Sequence, residues 1–177
     1  LYADGARLAY ALASPENDVT LRDLARLCDV FYIGGTKCGA FFGEAVVIPD
    51  PALISHFFTI VKQHGALFAK GRILGIQFDT LFTDDLYLHI GESALTCAAA
   101  IKLALKENGY QFFLETSTNQ IFIILENEVL HRLEEQAEFS FWEKYDDSHT
   151  VIRIATSWAT TKEHTDALIE LLKMNRT

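Results

Sequence analysis

The spacing of apolar and polar positions over the first fifty residues predicts helices that alternate with buried strands. Residues 6–14 repeat apolar side chains at helical spacing and stop at Ser14-Pro15. Thr20 is expected to cap a second helix that ends near Leu27. Two continuous apolar runs follow, DVFYIGG and EAVVIPD. Continuous apolar strands separated by helices are typical of a mainly parallel sheet covered on both faces, so this part is predicted to be α/β.

The pattern from residue 50 to residue 109 predicts mainly helices. Asp50-Pro51 has the form of a helix start, and apolar positions continue to about Ala69. Two glycines in AKGRILGIQFDTLFTDD then indicate a break between helices. Asp84 and Asp85 are expected to begin a long helix that ends at Lys106 and Gly109.

From Tyr110 onward the predicted elements become shorter. Strands are predicted in YQFFLETS, IFIILE, EFSFWEKY and TVIRIATSW. A helix at 127–137 separates the second strand from the third, and a last helix begins at the capping-box pair Thr160 and Glu163. The order ββαββα predicts a small α+β domain over residues 110–177, after a first domain over residues 1–109. Because LYADGARLAY opens inside an apparent core strand, the chain is expected to be the C-terminal part of a longer protein.

Composition excludes several classes of function. Half of the 177 residues are hydrophobic and thirteen are phenylalanine, which indicates a globular protein with a sizeable core. A formal net charge of -9 without any basic run argues against binding to nucleic acids or to membrane surfaces. The apolar stretches are interrupted by His, Lys or Gln and fall short of the roughly 20 residues that a membrane span needs.

The cysteines and histidines predict neither disulfides nor a metal site. Cys28, Cys38 and Cys97 are odd in number and form no CxxC pair, which is typical of reduced thiols in a cytosolic protein. The six histidines form no HExxH or HxH motif.

Lys37 lies in FYIGGTKCGA, between two strands and next to a glycine pair. It is either a solvated turn residue or a reactive amine, and the spacing of a phosphate-binding P-loop is absent. Apolar Phe31, Ile33 and Phe41 would desolvate the amine, lower the pKa of Lys37 and favour the nucleophilic form.

Asp4 lies 33 residues before Lys37, at the end of the first predicted strand. If the two strands are neighbours, both side chains can face the crevice at the carboxyl edge of the sheet. A carboxylate and an amine in that position match what pyridoxal phosphate needs, an imine partner for its aldehyde and an acid partner for its ring nitrogen. The alternative is that Asp4 caps the helix that follows Gly5.

Three segments, YADGARLAYAL, GGTKCGAFFGEAVVI and GALFAKGRILGIQF, resemble the low-specificity L-threonine aldolases and their β-eliminating lyase relatives, which are fold type I pyridoxal-phosphate enzymes. The resemblance continues through VIRIATSWATTKEHTDALIELL. It implies that residues 1–109 are the C-terminal part of the large cofactor-binding domain with a long connecting helix. Residues 110–177 would then be the small C-terminal domain.

The resemblance also implies a role for five residues. Lys37 and Asp4 would be catalytic, as the Schiff-base lysine and the partner of the pyridinium nitrogen. Arg7 would lie near the cofactor and, with Arg153, bind the substrate carboxylate, while Thr36 would donate to the cofactor phosphate. Strand alternation turns Arg153 away from its two isoleucine neighbours, although an exposed sheet residue is the alternative reading.

The expected reaction is cleavage of a β-hydroxy amino acid of the L-threonine or L-allo-threonine type to glycine and an aldehyde. The resemblance implies a cytoplasmic homodimer or homotetramer, and a chain that lacks the N-terminal half and is inactive alone. An aminotransferase or a β-eliminating lyase of the same fold remains open, as does a non-catalytic fragment.

Overall fold

The computed structural model describes residues 1–175. It divides the chain into two compact units, the first from Leu1 to Gly91 and the second beginning at Glu92. The two units are described separately.

The first unit is built on a three-stranded sheet in the order β1 (Tyr2–Ala3), β2 (Val30–Gly34) and β3 (Glu44–Val47). Strands β1 and β2 are parallel, as predicted, and are linked through α1 (Leu8–Leu12) and α2 (Leu21–Leu27). Strand β3 is antiparallel to β2, because the nine residues between them are too few for the crossover that a parallel pair requires. The sheet of this unit is therefore mixed.

Helices follow β3, with bounds that differ from the sequence prediction. They are α3 (Phe57–Gln63), α4 (Arg72–Phe82), a short 3-10 helix (Thr83–Asp85) and α5 (Leu86–His89). The helix predicted from Pro51 to Ala69 is confirmed only over α3. The Ala52 N–H donates to the Asp50 carboxylate at 2.9 Å, which forms a local turn instead of a first helical turn.

The long helix predicted to begin at Asp84 is wrong at its start. Asp84 and Asp85 adopt left-handed backbone angles, with φ of 51° and 56°, which a continuous α-helix does not allow. The long helix α6 begins at Glu92 and runs to Glu107. Its predicted end is confirmed, since Gly109 has a φ of 74° and its N–H donates to the Lys106 carbonyl.

The second unit has the predicted order of elements after α6. The elements are β4 (Gln111–Leu114), β5 (Gln120–Glu126), α7 (Asn127–Glu134), β6 (Ser140–Lys144), β7 (His149–Ala155) and α8 (Lys162–Met174). The four strands form an antiparallel sheet in the order β4-β5-β7-β6, covered by helices.

The core of the second unit includes α6, which is why the units divide before that helix and not near residue 110. Ala98, Ile101 and Leu105 of α6 are buried together with residues of β5, α7, β7 and α8. The boundary predicted at 109/110 rests on the change in strand pattern at Tyr110. The buried residues of α6, however, pack against the four-stranded sheet of the second unit. The assignment of residues 1–109 to a cofactor-binding domain stays a prediction.

Of the two caps predicted at threonines, one is confirmed and the other lies one residue further along. Thr20 and Asp23 form the complete capping box of α2. For the last helix the cap is Thr161, whose hydroxyl accepts the His164 N–H, and not Thr160 as predicted. The Thr160 hydroxyl instead accepts the Ser157 N–H at 2.8 Å.

One helical stretch among the described residues, Arg72–Glu107, is long and apolar enough by length and composition to cross a membrane. The expectation that every apolar stretch falls short of a span is therefore wrong by this criterion. The stretch is weak evidence for a membrane segment, because core helices of soluble proteins meet the same criterion. It is also divided at Asp84 and Asp85 by their left-handed backbone.

Candidate functional site

Asp4 and Lys37 lie beyond the ends of two adjacent parallel strands. Ala3 of β1 pairs with Phe31 of β2, so Asp4 directly follows β1 and Lys37 lies three residues past the end of β2. The predicted neighbourhood of the two strands is thereby confirmed. Both residues occupy the carboxyl edge of the parallel pair, where open α/β sheets bind ligands.

Two glycines allow the ends of β1 and β2 to approach closely. The Gly34 N–H donates to the Gly5 carbonyl at 3.0 Å. A Cβ atom on Gly5 would lie 1.6 Å from the Tyr32 carbonyl oxygen, and one on Gly34 would lie 2.5 Å from the Gly5 carbonyl oxygen. Any side chain at either position would force the backbones apart, so the glycine after Asp4 is a requirement of this site.

The Asp4 carboxylate is held through one of its oxygens. Oδ1 accepts the Ala6 N–H at 2.9 Å and the Tyr32 hydroxyl. These hydrogen bonds, that from Tyr32 first, lower the pKa of Asp4, and the charges of Lys37 and Arg7 lower it further. Asp4 does not cap α1, since the N-cap position is Arg7, so the capping alternative is wrong.

Glu44, the first residue of β3, holds the loop that carries Lys37. One carboxylate oxygen accepts the Gly35 N–H at 2.7 Å, and the other accepts the Thr36 hydroxyl at 3.2 Å. Because the Thr36 hydroxyl already donates to Glu44, donation to a phosphate would require exchange of that bond. The phosphate-binding role of Thr36 stays a prediction.

Two buried tyrosines hold the backbone on either side of this loop. The Tyr10 hydroxyl, from α1, donates to the Lys37 carbonyl, and the Tyr87 hydroxyl, from α5, donates to the Gly34 carbonyl at 2.9 Å. Burial raises the pKa of Tyr87 far above its ordinary value, so this phenol remains a neutral donor. The backbone of this loop is thus held at Gly34 and at Lys37 by two different helices.

The side chains of Lys37 and Cys38 point in opposite directions with respect to the core. Cys38 is buried, its thiol donates to the Gly34 carbonyl at 3.1 Å, and burial raises the pKa of Cys38 to about 11. Lys37 is exposed, and among residues 1–175 its amine takes part in no hydrogen bond or salt bridge. The expected apolar enclosure of the amine is wrong, since Phe41 is 92% exposed and Phe31 is buried in the core.

Arg153 belongs to the second unit, where β7 presents it. It pairs with Phe122 of β5 and Ser140 of β6, and its neighbours Ile152 and Ile154 are buried on the opposite face, as strand alternation predicts. Four of the five predicted site residues therefore belong to the first unit, namely Asp4, Arg7, Thr36 and Lys37. Arg153 belongs to the second unit.

The surroundings of the Arg153 guanidinium are partly polar and partly aromatic. One terminal nitrogen donates to the Gln120 side chain at 3.4 Å, and the group lies 5.8 Å from the centre of the Trp142 ring. Within the described part of the chain, the buried Nε has no hydrogen-bond partner. The fork of this guanidinium therefore retains unused donors for an anionic group.

Four residues of the site were missed in the sequence: Tyr10, Tyr32, Glu44 and Tyr87. Glu44 stands in the Gly-Glu-Ala segment, which is a usable signal, and Tyr32 is the outward position of an alternating strand. Tyr10 and Tyr87 have no such signal in the sequence, because their hydrogen-bond partners lie 27 and 53 residues away.

Comparison with known proteins gives a consistent result. The low-specificity L-threonine aldolase of Pseudomonas aeruginosa is 28% identical over 134 residues, which is 75% of this chain and 39% of that protein. The structure of Leishmania major threonine aldolase superposes with a TM-score of 0.94 and 42% identity, covering 99% of this chain and 52% of that one. This chain is similar to the threonine aldolases. It spans less than half the length of the curated relatives and about half of the Leishmania chain.

More distant structures show the same fold. The serine palmitoyltransferase of Sphingomonas wittichii superposes with a TM-score of 0.68 at 11% identity, covering 98% of this chain and 46% of that one. The chain therefore has the architecture of part of a fold type I enzyme, as the sequence predicted. No protein-family profile matches the chain.

Proposed function

We propose that the full-length protein is a pyridoxal-phosphate-dependent lyase that cleaves a β-hydroxy amino acid of the L-threonine type to glycine and an aldehyde. The similarity to threonine aldolases in sequence and structure supports the reaction type. The observation that carries the proposal is the placement of Asp4 and Lys37 beyond the ends of adjacent parallel strands, with the pKa of Asp4 lowered.

The available donors and acceptors fit the cofactor. Pyridoxal phosphate presents an aldehyde at one side of its ring and a nitrogen at the other. Lys37 offers an exposed amine that makes no hydrogen bond or salt bridge within residues 1–175. Asp4 offers Oδ2 as an acceptor, because both of its hydrogen bonds are made through Oδ1. Lys37 would therefore hold the aldehyde carbon, and Asp4 would hold the ring nitrogen. When bound, the cofactor supplies an electron sink for the electron pair released as the Cα–Cβ bond of the substrate breaks.

The remaining residues bind and orient the substrate in this proposal. Arg7 and Arg153 bind its carboxylate, and a planar guanidinium can do so through two parallel hydrogen bonds. Fixing the carboxylate sets the direction of the scissile bond, which lowers the barrier through orientation. Thr36 would assist at the cofactor phosphate once its bond to Glu44 is exchanged. We further propose that the protein is a cytoplasmic homodimer or homotetramer, and that residues outside this chain complete the site.

Product analysis of the purified full-length protein tests the proposal. With pyridoxal phosphate and L-threonine, we expect glycine and acetaldehyde in equal amounts. Lys37→Ala should abolish their formation, whereas Lys70→Ala, at an exposed lysine of the same unit, should not. A keto acid with ammonia would identify a β-eliminating lyase instead, and a keto acid that requires an amino acceptor would identify an aminotransferase. No product and no cofactor binding would indicate a non-catalytic protein.

A further inference from the structure

Tyr32 connects β2 to the Asp4 carboxylate. Its neighbours Phe31 and Ile33 are buried in the core of the first unit, so strand alternation turns Tyr32 to the opposite face of the sheet. Its ring lies 6.3 Å from that of Tyr2 on β1, and its hydroxyl donates to Asp4 Oδ1. The phenol thus approaches Asp4 from the adjacent strand.

The two hydrogen bonds to Asp4 come from different parts of the fold. The Ala6 N–H belongs to the turn that follows Asp4, so it moves together with that turn. The Tyr32 hydroxyl belongs to β2, the central strand of the sheet. A carboxylate held by one local donor can rotate about that contact, whereas a second donor from the sheet fixes its plane. Both bonds fall on Oδ1, so Oδ2 is left available as an acceptor.

Tyr32 serves as a donor and not as an acid or a base. Its hydrogen bond to Asp4 raises the pKa of Tyr32 to about 12, with smaller contributions from burial and from the charges of Asp4, Tyr2 and Glu44. The phenol therefore keeps its proton throughout the physiological range. Around Asp4 itself the other charged groups are Lys37 and Arg7, which favour the ionised carboxylate.

We propose that Tyr32 is a positioning residue for Asp4, which holds one carboxylate oxygen so that the other can pair with the ring nitrogen of the cofactor. This inference rests on the proposed function, because it assigns Asp4 the role of partner to that nitrogen. Tyr32 acts only through Asp4. Its removal should therefore matter only while the carboxylate is present.

A double-mutant cycle in the full-length protein tests this coupling. The measured quantity is the dissociation constant of pyridoxal phosphate from the apo-protein, obtained by equilibrium dialysis. Tyr32→Phe should weaken binding about tenfold, since it removes a hydrogen bond to a charged group. In an Asp4→Ala background, where no side-chain oxygen is left to accept from Tyr32, the same Tyr32→Phe change should have almost no effect. Tyr2→Phe removes the hydroxyl of a neighbouring tyrosine that is 63% exposed, and should leave affinity unchanged in both backgrounds.

The outcomes separate the inference from the proposed function. An equal loss of affinity on Tyr32→Phe in the Asp4 and in the Asp4→Ala backgrounds would show a general structural role and overturn the inference, as would no loss in either. A general folding defect caused by Tyr32→Phe enters both arms of the cycle and cancels. If the unmodified protein binds no pyridoxal phosphate, the proposed function itself fails.

Discussion

The two units hold their proposed functional side chains in different ways. Lys37, in the first unit, lies on the connection between β2 and β3. The backbone of that connection donates to Glu44 and accepts from Tyr10 and Tyr87, which belong to three different elements. Arg153, in the second unit, stands on a regular strand whose register and alternation set the face from which its side chain projects. A side chain on a loop is positioned only as well as its supports, so the first site should be sensitive to changes at distant residues.

The burial of apolar side chains differs between strand β5 of the second unit and helices α3 and α4 of the first. In the second unit, five consecutive residues of β5 (Ile121–Leu125) are buried. In the first unit, large apolar side chains of α3 and α4 are exposed, among them Phe58 at 66% and Ile76 at 52%. Extended exposed apolar surface is typical of faces that other protein covers. Variants of this unit should therefore be made in the full-length protein.

Gly5→Ala should have the largest effect, because it would break the first unit at its tightest point. The new Cβ would lie 1.6 Å from the Tyr32 carbonyl oxygen, which belongs to a paired strand and cannot yield without loss of the strand pairing. We expect loss of pyridoxal-phosphate binding and a much lower yield of folded protein, measured by equilibrium dialysis and by thermal unfolding.

Gly75→Ala is the matched control for that prediction. Gly75 lies inside α4, and a Cβ placed there meets nothing within 4 Å. Replacing a helical glycine by alanine should raise stability by about 0.5–1 kcal/mol and leave cofactor binding intact. Equal behaviour of the two variants would contradict the close approach of β1 and β2.

Tyr87→Phe should have an intermediate effect, because it removes one support of the Lys37 loop without changing the shape of the core. The Gly34 carbonyl would lose its tyrosine donor and keep the weaker bond from the Cys38 thiol. We expect a loss of about 1–2 kcal/mol in the free energy of unfolding, measured by urea denaturation. Tyr145→Phe, at a residue that is 49% exposed, should change that free energy by less than about 0.5 kcal/mol. Equal losses would contradict the support from Tyr87.

Arg153→Ala should have the smallest effect on stability and a clear effect on substrate binding. The variant loses the contact with Trp142, which lowers stability. It also removes a buried Nε that has no hydrogen-bond partner among the described residues, which raises stability. Because the two effects oppose each other, the free energy of unfolding should change by less than about 1 kcal/mol. The KM for L-threonine should rise about tenfold or more, with a smaller change in kcat. Arg132→Ala, at an exposed position of α7, should leave KM unchanged. An unchanged KM for Arg153→Ala would remove Arg153 from the substrate site.

Much of this arrangement could be predicted from the sequence, because it depends on local rules. The alternation at Arg153, the cap at Thr20 and the position of Asp4 after a strand follow from periodicity and from the preferences of single residues. The supports of Lys37 could not be predicted, since the hydroxyl of Tyr87 meets a carbonyl 53 residues earlier in the chain. The left-handed backbone at Asp84 likewise has no clear local signal, because aspartate is favoured both at helix starts and at left-handed positions.

The most direct test of the central claim is to locate the lysine that binds pyridoxal phosphate. The full-length protein is incubated with the cofactor, reduced with borohydride, digested and examined by mass spectrometry. The account predicts one phosphopyridoxyl group on the peptide that contains Lys37, and none on that peptide in Lys37→Ala. A modification at another lysine, with Lys37 unmodified, would contradict the assignment of the site.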